Sequence, residues 1–104
     1  MLKVVVGLVR TQGLDHEAFC DHWLTEHVPL AEAIPGLERY TTSLPRAPEE
    51  SRYDGFAGLY FADEAALETA LASEAVERTG ADLPNFADTE AGFQTIVEET
   101  VHVE

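Results

Sequence analysis

The residues best suited to chemistry lie close together in one segment: His16, Cys20, His22, Trp23, Glu26 and His27. Imidazole titrates near neutrality, so modest burial or a nearby carboxylate tunes it as a general acid or base. On a helical wheel at roughly 100° per residue, Phe19, Leu30, Trp23, His16, Ile34, His27, Cys20 and Ala31 share an arc of about 120°. Glu17, Asp21, Thr25 and Glu32 fall on the opposite side. His27 therefore points inward, one turn after Trp23. Two readings stand: a structural histidine hydrogen-bonded into the core, or a general acid/base beside an aromatic wall. His22 sits near the boundary, where Glu26 at i+4 makes a surface ion pair the expectation. Pro29 has no N–H, so it should loosen the turn around Thr25 and free a carbonyl for a ligand or water.

Other chemistries are excluded by spacing. His16 and His27 would stand about 16 Å apart along a helix axis, too far for one metal ion. No CxxC or HExxH pattern is present, so no protein-ligated metal is expected. The single cysteine, Cys20, excludes an internal disulfide and reads as a small buried hydrophobe rather than a nucleophile. There is no GxGxxG run, phosphate loop or nucleophile elbow, so neither a nucleotide cofactor nor acyl transfer is expected.

Charge narrows the partners. Twenty Asp and Glu stand against six Lys and Arg, a net −14 on 104 residues that are 45 % hydrophobic. Such a surface repels phosphate, so nucleic acid and anionic membranes are unexpected partners. The longest apolar run, Val4 to Val9, is far short of a membrane span, and no leader pattern precedes it. The chain reads as cytoplasmic. The acidic excess, concentrated on outer helix faces, fits a solvation coat and suggests a salt-rich cytosol.

The elements that must position these residues follow from periodicity. Leu2 to Arg10 is apolar and β-branched without a helical period, and predicts strand one. Asp15 caps a first helix that Ile34-Pro35-Gly36 stops. Leu37 to Leu44 predicts strand two, and a two-proline loop, Pro45 to Arg52, follows; it is expected to gate a pocket. Phe56 to Phe61 predicts strand three. Asp63 caps a second helix with Leu67, Ala70 and Leu71 as its inner stripe, and Ser73 restarts a further segment through Arg78. Phe93 to Val103 closes as strand four. The order is β-α-β-β-α-β, a single α+β domain over residues 1–104 with a four-stranded antiparallel sheet.

Two helices cover one face of such a sheet. Yet strand one is apolar on both sides: Leu2, Val4, Val6 and Leu8 on one, Val5, Gly7 and Val9 on the other. Phe56, Gly58 and Tyr60 against Ala57, Leu59 and Phe61 repeat the pattern in strand three. Strands buried on both faces read this way. A second copy packed sheet against sheet by two-fold symmetry is the economical cover, so a homodimer is expected.

The segment from Phe19 to Ala31, with Phe-x3-Trp-x3-His-x-Pro-Leu at its heart, and Pro35-Gly36-Leu37-Glu38-Arg39-Tyr40 after it, resembles the EthD family. Tyr53-Asp54-Gly55, Asp82 to Phe86 and Val97-Glu98-Glu99 are weaker matches, and together the likeness spans nearly the whole chain. The resemblance implies a ferredoxin-like monomer that dimerises sheet to sheet into an α/β barrel, with a pocket between sheet and helices. It makes Trp23, His27, Tyr40, Asp54, Tyr60 and Phe86 the pocket candidates. His27 and Asp54 would be catalytic; Trp23, Tyr40, Tyr60 and Phe86 would bind substrate. Tyr40 and Tyr60 could equally be strand packing, Phe86 core, and Asp54-Gly55 turn chemistry. Arg39 alternates with Tyr40, so only one of the two can face a given cavity. The implied function is binding of a small apolar or aromatic oxygenated molecule. Cofactor-independent isomerisation or monooxygenation is the enzymatic version, and a non-catalytic accessory protein of a degradation or tailoring pathway is the alternative.

Overall fold

A computed structural model describes all 104 residues. Four strands, β1 (Leu2–Leu8), β2 (Leu37–Ser43), β3 (Gly55–Phe61) and β4 (Phe93–Glu98), form one antiparallel sheet in the order β2-β3-β1-β4. That order, with both crossovers on one face, is the ferredoxin-like arrangement. The two most apolar strands, β1 and β3, take the centre, where both edges are paired. The more polar β2 and β4 take the edges. Strand four stops at Glu98, shorter than the expected run to Val103, because Val101 and Val103 are exposed and have no strand to pair with.

The helices lie on one face. Asp15 caps α1 (His16–His22), its carboxylate accepting from Ala18 N at 2.8 Å. Asp63 and Ser73 cap α3 (Glu64–Leu71) and α4 (Glu74–Asp82) in the same way. The first helix is not a single α-helix. Residues Trp23–His27 form a π-helical turn, and α2 (Val28–Glu32) follows it. Pro29 explains the break: it cannot donate to the Thr25 carbonyl, and the Val28 N–H reaches back five residues to Trp23 O.

The core divides into two clusters along the sheet. Val4, Ala31, Ile34, Phe61, Leu67 and Ala70 pack beneath α2 and α3. Leu8, Phe19, Trp23, Ala57, Phe86 and Ala87 pack beneath α1 and the π-turn. Phe19, Trp23 and Phe86 are the largest fully buried side chains, each contributing about 1.5–3 kcal/mol of burial. Gly55 makes room for Trp23: a Cβ there would overlap its indole ring. The chain between α4 and β4 is pinned to the end of β1, with Thr11 N donating to Phe86 O at 2.9 Å and Asp88 N to Val9 O at 2.8 Å. No helix is long and apolar enough to cross a membrane.

Candidate active site

A cavity of about 130 Å³ lies between the sheet and the helices. Fifteen of its nineteen lining residues are hydrophobic. An apolar cavity of about 150 Å³ takes up benzene, so this slightly smaller one suits nothing much larger than a single ring. The sheet contributes Val4, Val6, Ala57 and Leu59, the side of the alternation that faces the helices. Leu71, Gly80 and Gln94 are its exposed liners, so it opens between α4 and the β4 edge. His27, Tyr40, Thr79 and Gln94 supply its polar side chains.

The π-turn places Trp23 and His27 on the cavity wall at 1 % and 6 % exposure. His27 Nδ1–H donates to Asp82 Oδ2 at 2.9 Å. This bond sets the tautomer, so the free lone pair belongs to Nε2. Asp82 closes α4 and receives two further donors: His22 Nε2 at 3.0 Å and Asn85 Nδ2 at 3.0 Å, both on Oδ1. His22 is thus held by Asp82, not by Glu26 as the i+4 spacing predicts. In a regular α-helix, residues 22 and 27 diverge by about 140°; the extra residue in the π-turn brings both imidazoles to one carboxylate. Phe86, fully buried, lies behind both rings, with centroids at 5.0 Å from His22 and 4.9 Å from His27.

The electrostatics favour a neutral base beside a firm carboxylate. Burial lowers His27 below its ordinary value; Asp82 opposes this and His22 adds to it. Burial pushes Asp82 up, but bonds from Asn85, His27 and His22 outweigh it and hold the carboxyl below the usual range. Tyr40 is pushed up by burial, partly offset by the Trp23 indole N–H, so its phenol stays protonated and can donate. A neutral imidazole with its back nitrogen on a carboxylate can accept a proton at Nε2, and the carboxylate stabilises the imidazolium that forms.

Of the six residues nominated from sequence, the cavity brings together Trp23, His27 and Tyr40. Phe86 stands behind the imidazoles and does not line the cavity. Tyr60 projects from the opposite sheet face, its hydroxyl donating to Glu99 at 3.1 Å and its ring between Lys3 and Arg39. Asp54, 6 % exposed, does not reach the cavity either. It accepts from Arg10 N at 2.9 Å, Arg10 Nη1 at 3.2 Å and His16 Nδ1 at 2.9 Å. Burial raises its pKa, but these bonds and the Arg10 charge prevail and hold it low. The Pro45–Arg52 loop also lies elsewhere. It carries a short 3-10 turn, Pro48–Glu50, and borders a polar cleft shared with Asp54, so it does not gate the His27 cavity. Asp82 and Asn85 are the partners that helical spacing missed. The available signal was their place on either side of Leu83-Pro84, directly ahead of Phe86.

The chain resembles known proteins in sequence and in fold. The EthD domain model matches residues 11–90. The chain belongs to the EthD family. An uncharacterised 11.0 kDa protein from the thcB–thcC intergenic region of Rhodococcus erythropolis is 35 % identical over 100 residues, covering 92 % of this chain and 95 % of that one. The crystal structure of an EthD-family protein from Bacillus halodurans superposes with a TM-score of 0.80 at 26 % identity, over 96 % of this chain and all of that one. Two more distant structures share the fold. A dimeric ferredoxin-like protein from Jannaschia sp. has a TM-score of 0.70 at 22 % identity, covering 94 % of this chain and 98 % of its own. SnoaB, a cofactor-independent oxygenase from Streptomyces nogalater, has a TM-score of 0.72 at 14 % identity, covering 99 % and 97 %.

Proposed function

We propose that this EthD protein binds a single-ring or similarly small, weakly polar oxygenated molecule and deprotonates it without a cofactor, His27 acting as the base. The observation that carries the proposal is a neutral imidazole, seated on Asp82, at the wall of an apolar cavity of about 130 Å³. Nε2 takes a proton from a carbon beside a carbonyl, or from a phenol. Tyr40, also on the cavity wall and protonated, donates to the oxyanion that develops. Trp23 and the aliphatic walls hold the ring and exclude water. The resulting anion has two redox-distinct fates: reprotonation elsewhere gives an isomerase, and reaction of an electron-rich anion with oxygen gives a monooxygenase. The likeness in fold to SnoaB, a cofactor-independent oxygenase, supports the second.

The test is a thermal-shift screen of small phenols and cyclic ketones, followed by turnover assays on the hits. His27→Ala should bind comparably and lose about 10²–10⁴-fold in turnover, the usual contribution of a general base. Turnover that survives His27→Ala removes the assignment. Binding without turnover in either protein makes this an accessory binding protein.

The assembly proposed is a homodimer through the open sheet face. Val5, Gly7, Phe56, Gly58, Phe93 and Val97 fall on that face by register, and Phe93 is 39 % exposed there. The Jannaschia relative in fold is dimeric. Light scattering in dilute solution should give twice the 11.4 kDa chain mass; a stable monomer refutes the dimer.

A further inference from the structure

A second relay lies outside the cavity. Cys20 Sγ–H donates to His16 Nε2 at 3.3 Å, and His16 Nδ1–H donates to Asp54 Oδ1 at 2.9 Å. Asp54 is itself fixed by the backbone and side chain of Arg10. His16 and Cys20 stand one turn apart on α1, and Asp54 arrives from the start of β3. The His16 ring is held by its stack on Phe19, centroids 6.1 Å apart. This is the order nucleophile, base, orienting carboxylate, each in hydrogen-bond reach of the next. None of the three lines the His27 cavity.

We propose that Cys20 is a nucleophilic thiol, activated through His16 and Asp54, that adds to soft carbon electrophiles of the α,β-unsaturated carbonyl class. The resting sulfur keeps its proton, because burial, Asp54 and Asp21 all push the thiol up. A preformed thiolate, as metal binding or fast peroxide reduction requires, is therefore not the working form. Addition to an activated alkene suits a thiol whose proton leaves as the new bond forms. Sulfur bonds to the β carbon, and the alkene π pair moves onto the carbonyl oxygen as an enolate. The thiol proton passes to His16 Nε2, while Asp54 stabilises the imidazolium through Nδ1–H. That proton then returns to the α carbon. The adduct contains every atom of both reactants, and nothing is oxidised or reduced. Cys20 is half-buried against the apolar cluster that contains Phe19 and Trp23, which suits an apolar reagent.

The probe is N-ethylmaleimide, with alkylation of the intact folded chain followed by mass spectrometry near neutral pH. Cys20 is the single thiol, so each added mass reports one residue. Folded protein should react at least about tenfold faster than N-acetylcysteine, short of the full range of general-base effects because access is partial. His16→Gln should abolish that excess, and Asp54→Asn should reduce it. Circular dichroism checks the fold of each variant; if Asp54→Asn does not fold, His16→Gln decides. A folded-state rate at or below that of N-acetylcysteine, or one unchanged in His16→Gln, overturns the proposal.

Discussion

The molecule holds two aspartates that look alike at first glance. Asp54 and Asp82 are each nearly buried, each receives three hydrogen bonds, and each orients an imidazole from the first helical segment. Their partner sets differ in kind. Asp54 is held by an arginine that never titrates, by a main-chain N–H and by one imidazole, His16. Asp82 has only two imidazoles and an amide. Asp54 therefore keeps one permanently charged partner, whereas none of the partners of Asp82 carries a permanent charge. The first arrangement anchors the end of β1 to α1. Both can back an imidazole that takes a proton, but only the second stands at an apolar cavity.

The strongest way to break this contrast is to remove what both regions share. Phe86 stacks on His22 and packs at a tilt against His27 and Phe19. Phe86→Ala should cost about 3–5 kcal/mol, seen as a fall in denaturation midpoint, and should disorganise the imidazole pair on Asp82 and loosen Phe19, on which His16 stacks. A loss under about 1 kcal/mol would mean that Phe86 is not the packing hub that its zero exposure implies.

Smaller effects should sharpen the contrast. Asp54→Asn should cost about 1–3 kcal/mol, because Arg10 and His16 lose a buried acceptor charge, yet leave the part of the acid limb nearest neutrality in place. That part belongs to His27; the lowered Asp54 and Asp82 carboxyls act only below their ordinary 3.8. The folded value of His27 lies below the ordinary 6.5, so below that pH the unfolded chain binds a proton the folded chain resists. The resulting stability is complete above about 6.5 and is lost as pH falls through it toward the folded value. Asp82→Asn should extend the limb, because the group that favours the imidazolium is gone. Urea midpoints measured from pH 7 downward test this; a flat profile in the wild type, or an identical one in Asp82→Asn, counts against the assignment.

Much of the fold was legible in the sequence, because two-sided apolar strands and capped amphipathic segments are local patterns. The inward placement of Trp23 and His27 followed from the same spacing. The site's other half was not legible. Asp82 lies 55 residues from His27, and it meets both imidazoles only because a π-turn shifts the helical phase. Pro29 gave the position of that disturbance but not its form. Tyr60 was nominated to the same pocket as Tyr40, yet a register shift between Leu37 and Arg39 sets Arg39 opposite Tyr60 and Tyr40 opposite Leu59. Nothing in the residue types announces that shift. Asp54 was chosen for its carboxylate; its role is decided by Arg10, 44 residues away.

Trp23 is the chain's one tryptophan, and it forms part of the cavity wall at 1 % exposure. The protein thus carries a built-in optical gauge. Light absorbed by indole is emitted from a single place, beside Tyr40 and His27, with no other tryptophan to dilute the signal. Quenching or a spectral shift on adding a compound reads occupancy of that chamber directly, before any assay of turnover exists.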